Sequence, residues 1–397
     1  MGIYKKKELV IRAGLKLVQT GLIARTWGNI SCRIDEDSFL ITPSGRDYKT
    51  LTPDEIVTVS ISDLSYDGDI KPSSEKGIHA DVYKLFPDIN FVIHTHQENA
   101  SIVGATGLDS MELREHNPYL GDRVICADYA LPGTKSLRRK VSNALVNSKG
   151  RAVIMKHHGA LCIGKDYDEA FKVASELETA CHNFIINSYL NLSGEDSFDQ
   201  DKMHRFILSL HDKTGNETCK RDFKPYPNTA RTNTGFILYY DDGRKIEIRY
   251  NDIDKCHPMD ARIYNAIYNR YEDIDYILCK STPEIDAIVR LGIPLRPLLD
   301  DFAQIVGPVA KNVENNPVDI VAALKRSSAV LVEGVGALCC GNSKEDAIAV
   351  GMIMQKSCKA YLGASIFGKV EPINFIESVL MRFIYLKKYS KQMDKGV

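Results

Sequence analysis

The 397-residue chain predicts an α/β fold in which helices cover a mainly antiparallel sheet, present as two tandem copies. Three observations carry this reading. Strand-like and helix-like segments intermingle without a regular βαβ alternation, which favours a mixed or antiparallel sheet. The length exceeds what one ordinary hydrophobic core fills. Three blocks of the first half recur, in order, in the second.

Along the chain, residues 8–18 have the apolar spacing of a helix that stops at Gly21. Thr26-Trp27-Gly28-Asn29 is a turn leading into short strands at 30–34 and 39–42. Thr52-Pro53-Asp54-Glu55 is a capping box, with Thr as N-cap, Pro at the first helical position and Glu three residues on. Residues 56–61 alternate as a strand, and Tyr66-Asp67-Gly68-Asp69 turns the chain. A helix over 76–86, a strand over 90–96, a helix over 135–147, a strand over 152–155 and a long helix over 167–186 complete the first half. The chain then turns polar, and one short helix near 203–210 interrupts a linker. The expected domains are 1–192 and 233–397, joined by the linker 193–232.

Composition narrows the class. Hydrophobic residues make up 44% and charged residues 26%, the balance of a soluble globular protein. A net charge of −1 gives no electrostatic case for nucleic acid or an anionic membrane. No apolar run approaches the roughly 18 residues of a membrane span, and none follows the basic start Lys5-Lys6-Lys7. The ten cysteines contain no CxxC pair and fall mostly in apolar runs such as Leu338-Cys339-Cys340, as thiols of a reducing cytoplasm do. A cytoplasmic enzyme acting on a small molecule is the expectation.

The chemistry concentrates in a few residues. His94-Thr95-His96 closes the apolar run Phe91-Val92-Ile93, and residues i and i+2 of a strand share a face. A third imidazole comes from Lys156-His157-His158-Gly159, with His158 preferred over His157 because Gly159 permits close backbone approach beside it. Three imidazoles leave the fourth position of a catalytic metal open. Glu75, in Pro72-Ser73-Ser74-Glu75, supplies a base, and His79 lies one turn further on. Three small loops offer hydroxyl and backbone donors to an anion: Thr26-Trp27-Gly28-Asn29, Thr42-Pro43-Ser44-Gly45 and Pro72-Ser73-Ser74.

The repeat acts as an internal control. His79-Ala80-Asp81-Val82-Tyr83 matches Asp260-Ala261-Arg262-Ile263-Tyr264, and 88–93 matches 273–278. Gly159-Ala160-Leu161-Cys162-Ile163-Gly164 matches Gly336-Ala337-Leu338-Cys339-Cys340-Gly341. In this alignment His94 and His96 become Cys279 and Ser281, His158 becomes Val335, and Glu75 falls near Cys256. Fold positions persist while chemical groups vanish, so the site belongs to residues 1 to about 190.

Five ordered motifs, Thr26-x-Gly28-Asn29-Ile30-Ser31, Ile41-Thr42-Pro43-Ser44-Gly45, Pro72-Ser73-Ser74-Glu75, His94-Thr95-His96 and His157-His158-Gly159, resemble the class II aldolase/adducin family across the whole first half. The resemblance implies a three-layer α/β/α class II aldolase-like fold, with a degenerate second copy. It implies that His94, His96 and His158 bind a divalent ion, zinc first, with Mn2+ or Co2+ as alternatives. It implies that Thr26, Gly28, Asn29, Ser44, Gly45, Ser73 and Ser74 hold a substrate phosphate and that Glu75 is the general acid/base. The implied reaction cleaves a phosphorylated ketose to an aldehyde and dihydroxyacetone phosphate through a metal-stabilised enediolate. Glu75 favours aldolase over phosphopentulose epimerase, in which Asp is typical; a sugar-phosphate dehydratase is a further alternative, and a non-catalytic scaffold ranks last. Homo-oligomers are implied too, and Tyr119 and Tyr129 lie in the region from which the family draws a catalytic tyrosine.

Overall fold

The computed structural model describes residues 2–23, 27–211, 222–253 and 257–388; Thr26 and Cys256 lie outside them. The chain divides into two compact units. The first is built on residues up to Leu192 with Phe367–Glu371, the second on Ser193–Ile366 with Pro372–Leu386.

The first unit runs α1 (Ile3–Gln19), β1 (Asn29–Arg33), β2 (Ser38–Ile41), β3 (Val57–Ser60), α2 (Lys76–Leu85), β4 (Phe91–Thr95), α3 (Glu98–Gly104), β5 (Ser110–Asn117), β6 (Gly121–Ala127), α4 (Lys135–Asn147), β7 (Ala152–Met155), β8 (Gly159–Gly164) and α5 (Tyr167–Ser193). Its eight strands form one sheet in the order β3-β2-β1-β4-β8-β7-β6-β5. Every neighbouring pair is antiparallel except β6–β7. α2 and α4 pack together over one face through Ile78, Val82, Tyr83, Leu137, Val141 and Leu145, which meet Val92, Leu161 and Ile163 of the sheet. α1 and α3 lie against the other face, α1 burying Val10, Ala13 and Leu17 at helical spacing. Helix, sheet, helix is the expected three-layer arrangement.

The second unit runs α6 (Gln200–His211), β9 (Asn228–Arg231), β10 (Gly235–Tyr239), β11 (Lys245–Arg249), α7 (Met259–Arg270), β12 (Tyr276–Lys280), α8 (Pro283–Arg290), α9 (Asp300–Ile305), β13 (Asn312–Val313), α10 (Pro317–Ala323), β14 (Ala329–Val332), β15 (Gly336–Gly341), α11 (Lys344–Ser365) and α12 (Phe375–Lys388). Its strand order, β11-β10-β9-β12-β15-β14-β13, repeats that of the first sheet without the β5 edge, and its parallel pair, β13–β14, falls in the matching place. The expected linker thus carries α6 and β9, a strand paired on both sides. Prolines at 225 and 227 beside polar Asn228 and Thr229 hide that strand from an apolar-alternation reading.

Ladder register aligns the copies more firmly than the motifs do. Both His94 and Cys279 pair with the leucine of a Gly-Ala-Leu-Cys strand, Leu161 and Leu338, so Cys279 stands where His94 does. Arg33 donates to the carbonyls of Tyr83, Phe86 and Ile89; Arg231 donates to those of Tyr268, Tyr271 and Ile274. This places Tyr268 opposite Tyr83, Tyr264 opposite His79 and Asp260 opposite Glu75. The match of 79–83 with 260–264 is therefore one helical turn out of register, and the counterpart of Glu75 is a carboxylate rather than a residue near Cys256.

Candidate metal centre

β4 enters the sheet centre between β1 and β8, so its C-terminal end is buried on both sides. His94 lies on that strand and His96 one residue past its end at Thr95. His158 precedes β8 in the tight turn from β7, where His157 adopts φ of 61°. Gly159 makes the crossing possible: a Cβ there would stand 2.2 Å from the Thr95 carbonyl oxygen and 3.1 Å from the His94 ring. One ligand atom from each of His94, His96 and His158 lies within 4.8 Å of the others. No other such cluster occurs among the described residues.

The His94 imidazole is set up as a ligand. His94 Nδ1 is 3.0 Å from the Ala160 carbonyl oxygen, which can only accept, so Nδ1 carries the proton and Nε2 presents its lone pair. That Nε2 is 3.1 Å from His96 Nε2 and 3.4 Å from Glu75 Oε2. Tetrahedral coordination at zinc–nitrogen distances requires ligand atoms about 3.3 Å apart, so the donor set fits a divalent metal. Burial pushes the His94 pKa well below its ordinary value against the pull of Glu75, and His158 and His96 lower it further. A neutral imidazole is the form that binds metal.

Glu75 stands at the N-cap of α2, buried, with Oε1 2.8 Å from His158 Nε2 and Oε2 accepting from Asn29 Nδ2 at 2.8 Å. Burial raises its pKa, but His94 and His158 beside it, with the hydrogen bonds from His158 and Asn29, hold it well below the usual carboxylate value. The carboxylate is ionised at neutral pH. It faces the three histidines from α2.

The anion-friendly loops converge on the same end of the sheet. Ser44 N donates to Lys71 O and Ser73 N to Thr42 O, joining the loops of Ser44-Gly45 and Ser73-Ser74. The Thr42 hydroxyl accepts from Ile30 N, bringing in the loop of Gly28 and Asn29. Gly28, at φ of 96°, passes so close to β4 that a Cβ would meet the His94 carbonyl oxygen at 2.5 Å. Its own carbonyl accepts from Tyr48 Oη at 3.1 Å. Ser44 and Gly45 are partly exposed, Ser74 is exposed, and Ser73 is buried with its Oγ accepting from Glu75 N. Asn29 is held between Glu75 and His79, which leaves one amide hydrogen for a ligand. The expected contribution of Thr26 lies outside the described residues.

Expected as a supporting or structural residue one turn after Glu75, His79 stands between Asn29 and Ser31. Tyr129 packs edge-on against His157 with ring centroids 5.3 Å apart, whereas Tyr119 sits in the β5–β6 turn. The second unit departs from the first at the glycine beside β4. Tyr226 stands at the place of Gly28, its backbone N donating to Cys279 Sγ and its hydroxyl to Asn315.

The model of the class II aldolase and adducin N-terminal domain matches residues 8–185 and again 229–362. The 5-deoxy-D-ribulose 1-phosphate aldolase of Bacillus thuringiensis serovar kurstaki is 31% identical over 179 residues, 45% of this chain and 83% of that protein. The L-fuculose phosphate aldolase of Escherichia coli is 32% identical over 182 residues, 46% of this chain and 83% of that protein. A solved L-fuculose 1-phosphate aldolase structure superposes with a TM-score of 0.44 at 27% identity, covering 52% of this chain and 96% of its own. With the family model matching in both halves, the chain belongs to the class II aldolase and adducin N-terminal domain family.

Proposed function

We propose that this class II aldolase, an enzyme acting on sugar phosphates, cleaves a phosphorylated ketose to dihydroxyacetone phosphate and an aldehyde, and that residues 1–192 carry the reaction. The observation that carries the reading is the meeting of His94, His96 and His158 with a buried, ionised Glu75 beside three loops of small hydroxyl residues. His94, His96 and His158 would hold a divalent ion, zinc first, which would supply Lewis-acid stabilisation of negative charge on the ketose oxygens.

The remaining steps belong to the protein. Gly28, Asn29, Ser44, Gly45, Ser73 and Ser74, with Thr26, bind the phosphate and so fix the distance from phosphate to reacting carbon. Glu75 takes the hydroxyl proton of the departing aldehyde carbon and returns a proton to the three-carbon fragment, its carboxylate already desolvated by α2 and the histidines. Such desolvation strengthens every charge interaction in the pocket. Residues 233–397 form a non-catalytic copy, in which Cys279 replaces His94.

A retro-aldol screen across phosphorylated ketoses, reading dihydroxyacetone phosphate, tests the reading. The wild-type enzyme with bound zinc is expected to cleave at least one ketose 1-phosphate. His94→Ala is expected to lose bound metal together with at least about 1,000-fold in activity. Epimer formation without cleavage would instead assign an epimerase, and full metal content in His94→Ala would remove the ligand assignment.

A further inference from the structure

Five buried polar groups form one unbranched chain ending on Glu75. Tyr83 Oη lies 2.7 Å from Ser31 Oγ, and Ser31 Oγ lies 2.6 Å from His79 Nδ1. His79 Nε2 lies 2.5 Å from Asn29 Oδ1, and Asn29 Nδ2 lies 2.8 Å from Glu75 Oε2. Ser31 and His79 are wholly inaccessible to solvent, so no water substitutes for a missing partner.

Donor and acceptor chemistry places every proton along it. Asn29 donates from Nδ2 to Glu75 Oε2 and so turns its oxygen to His79. That oxygen only accepts, so His79 carries its proton on Nε2. Nδ1 then accepts the Ser31 hydroxyl hydrogen, and the Ser31 oxygen accepts from Tyr83. Burial keeps the ring neutral, lowering its pKa to about 4 although Glu75 pulls it upward.

We infer that His79 is a positioning residue for the reaction: donating from Nε2 to Asn29 Oδ1, it locks the Asn29 amide with Nδ2 toward Glu75 and thereby fixes the carboxylate in the site. Without that donor the amide is free to turn over and oppose oxygen to oxygen. The inference rests on Glu75 being the proton-transfer group. The second unit supplies a control. Its Tyr268 and Thr229 keep the outer pair, at 3.4 Å. Tyr264 stands in for His79 and donates to the Pro227 carbonyl, and Pro227 stands in for Asn29. Asp260 there accepts from its neighbour Ala261 N instead of from an amide side chain. The part of the chain that serves packing persists, and the part that reaches the carboxylate is gone.

The test uses the full-length protein, wild type and with His79→Leu or His79→Gln, since the Gln amide supplies an N–H near the position of Nε2. Side-chain 15N NMR of histidine-labelled wild type is expected to show His79 neutral with its proton on Nε2; a proton on Nδ1 overturns the inference, whatever the variants do. His79→Leu is expected to lose roughly 10- to 100-fold in kcat, with KM and bound zinc unchanged and the melting temperature lowered by the Ser31 and Asn29 groups left unpaired. His79→Gln is expected to recover most of that loss. A His79→Gln enzyme that melts and binds zinc like wild type yet falls as far as His79→Leu, or as far as 100-fold where the Leu variant does not fold, overturns the role. A wild-type protein that cleaves no phosphoketose removes the proposed reaction instead, and the tautomer is still read on its own.

Discussion

His94, buried against His96 and His158, is held well below the ordinary histidine pKa because burial removes the water that would solvate its charge. His79 presents the same physics away from the ligands, and its pH consequence has a definite sign. In the unfolded chain it binds a proton below about 6.5, whereas in the folded protein burial delays protonation to about 4. Between these values the unfolded state binds more protons, so stability rises with pH across the window and is lost as pH falls from 6.5 toward 4. The difference amounts to about 3 kcal/mol for this residue. His79→Gln is therefore expected to flatten the acid limb of a urea-unfolding pH series by about that amount relative to wild type. Parallel curves for the two proteins would show that His79 does not titrate in the interior.

At the scale of elements, the β4–β8 crossing controls the metal centre. Gly159→Ala is expected to push β8 from Thr95, costing about 1–3 kcal/mol of stability, and to weaken zinc binding because the new methyl abuts the His94 ring. Zinc titration with a competing chelator checks the second effect; unchanged affinity would mean that the strands absorb the methyl without moving His94. This crossing also shows what was legible in the sequence. α4 over 135–147 and β7 over 152–155 are visible in their pattern to the residue, because Thr134 caps the helix and a pure apolar run makes the strand. The pair β5–β6 is not, since Ser110–Asn117 is a largely exposed edge strand of mixed charge without alternation. α3 is only seven residues long, too short for periodicity to declare itself. The histidines were legible as a set, from the two-residue spacing on β4 and the glycine after His158. That Asn29 lies opposite His94 was not, because the β1–β4 register joins residues far apart in sequence and no local signal specifies it.

Across the whole molecule, two sheets of matching strand order, each with its own buried cluster, imply two cooperative cores rather than one. The His94, His96 and His158 cluster belongs to the first unit alone, and the second has no such cluster among its described residues. Metal binding to one folded state stabilises only the core that holds it, by RT ln(1 + [L]/Kd). Calorimetry of the full chain is therefore expected to resolve two transitions, of which chelation moves one. At free zinc about 1,000 times its dissociation constant the linkage is about 4 kcal/mol, enough to lower that transition by roughly 10 °C for a domain of this size. His94→Ala should sit at the chelated position and ignore further chelator, while the transition of the second unit stays in place throughout. A single transition shifting as a whole would mean that the two cores unfold together, and that the degenerate copy supports the active one thermodynamically although it lacks the metal ligands.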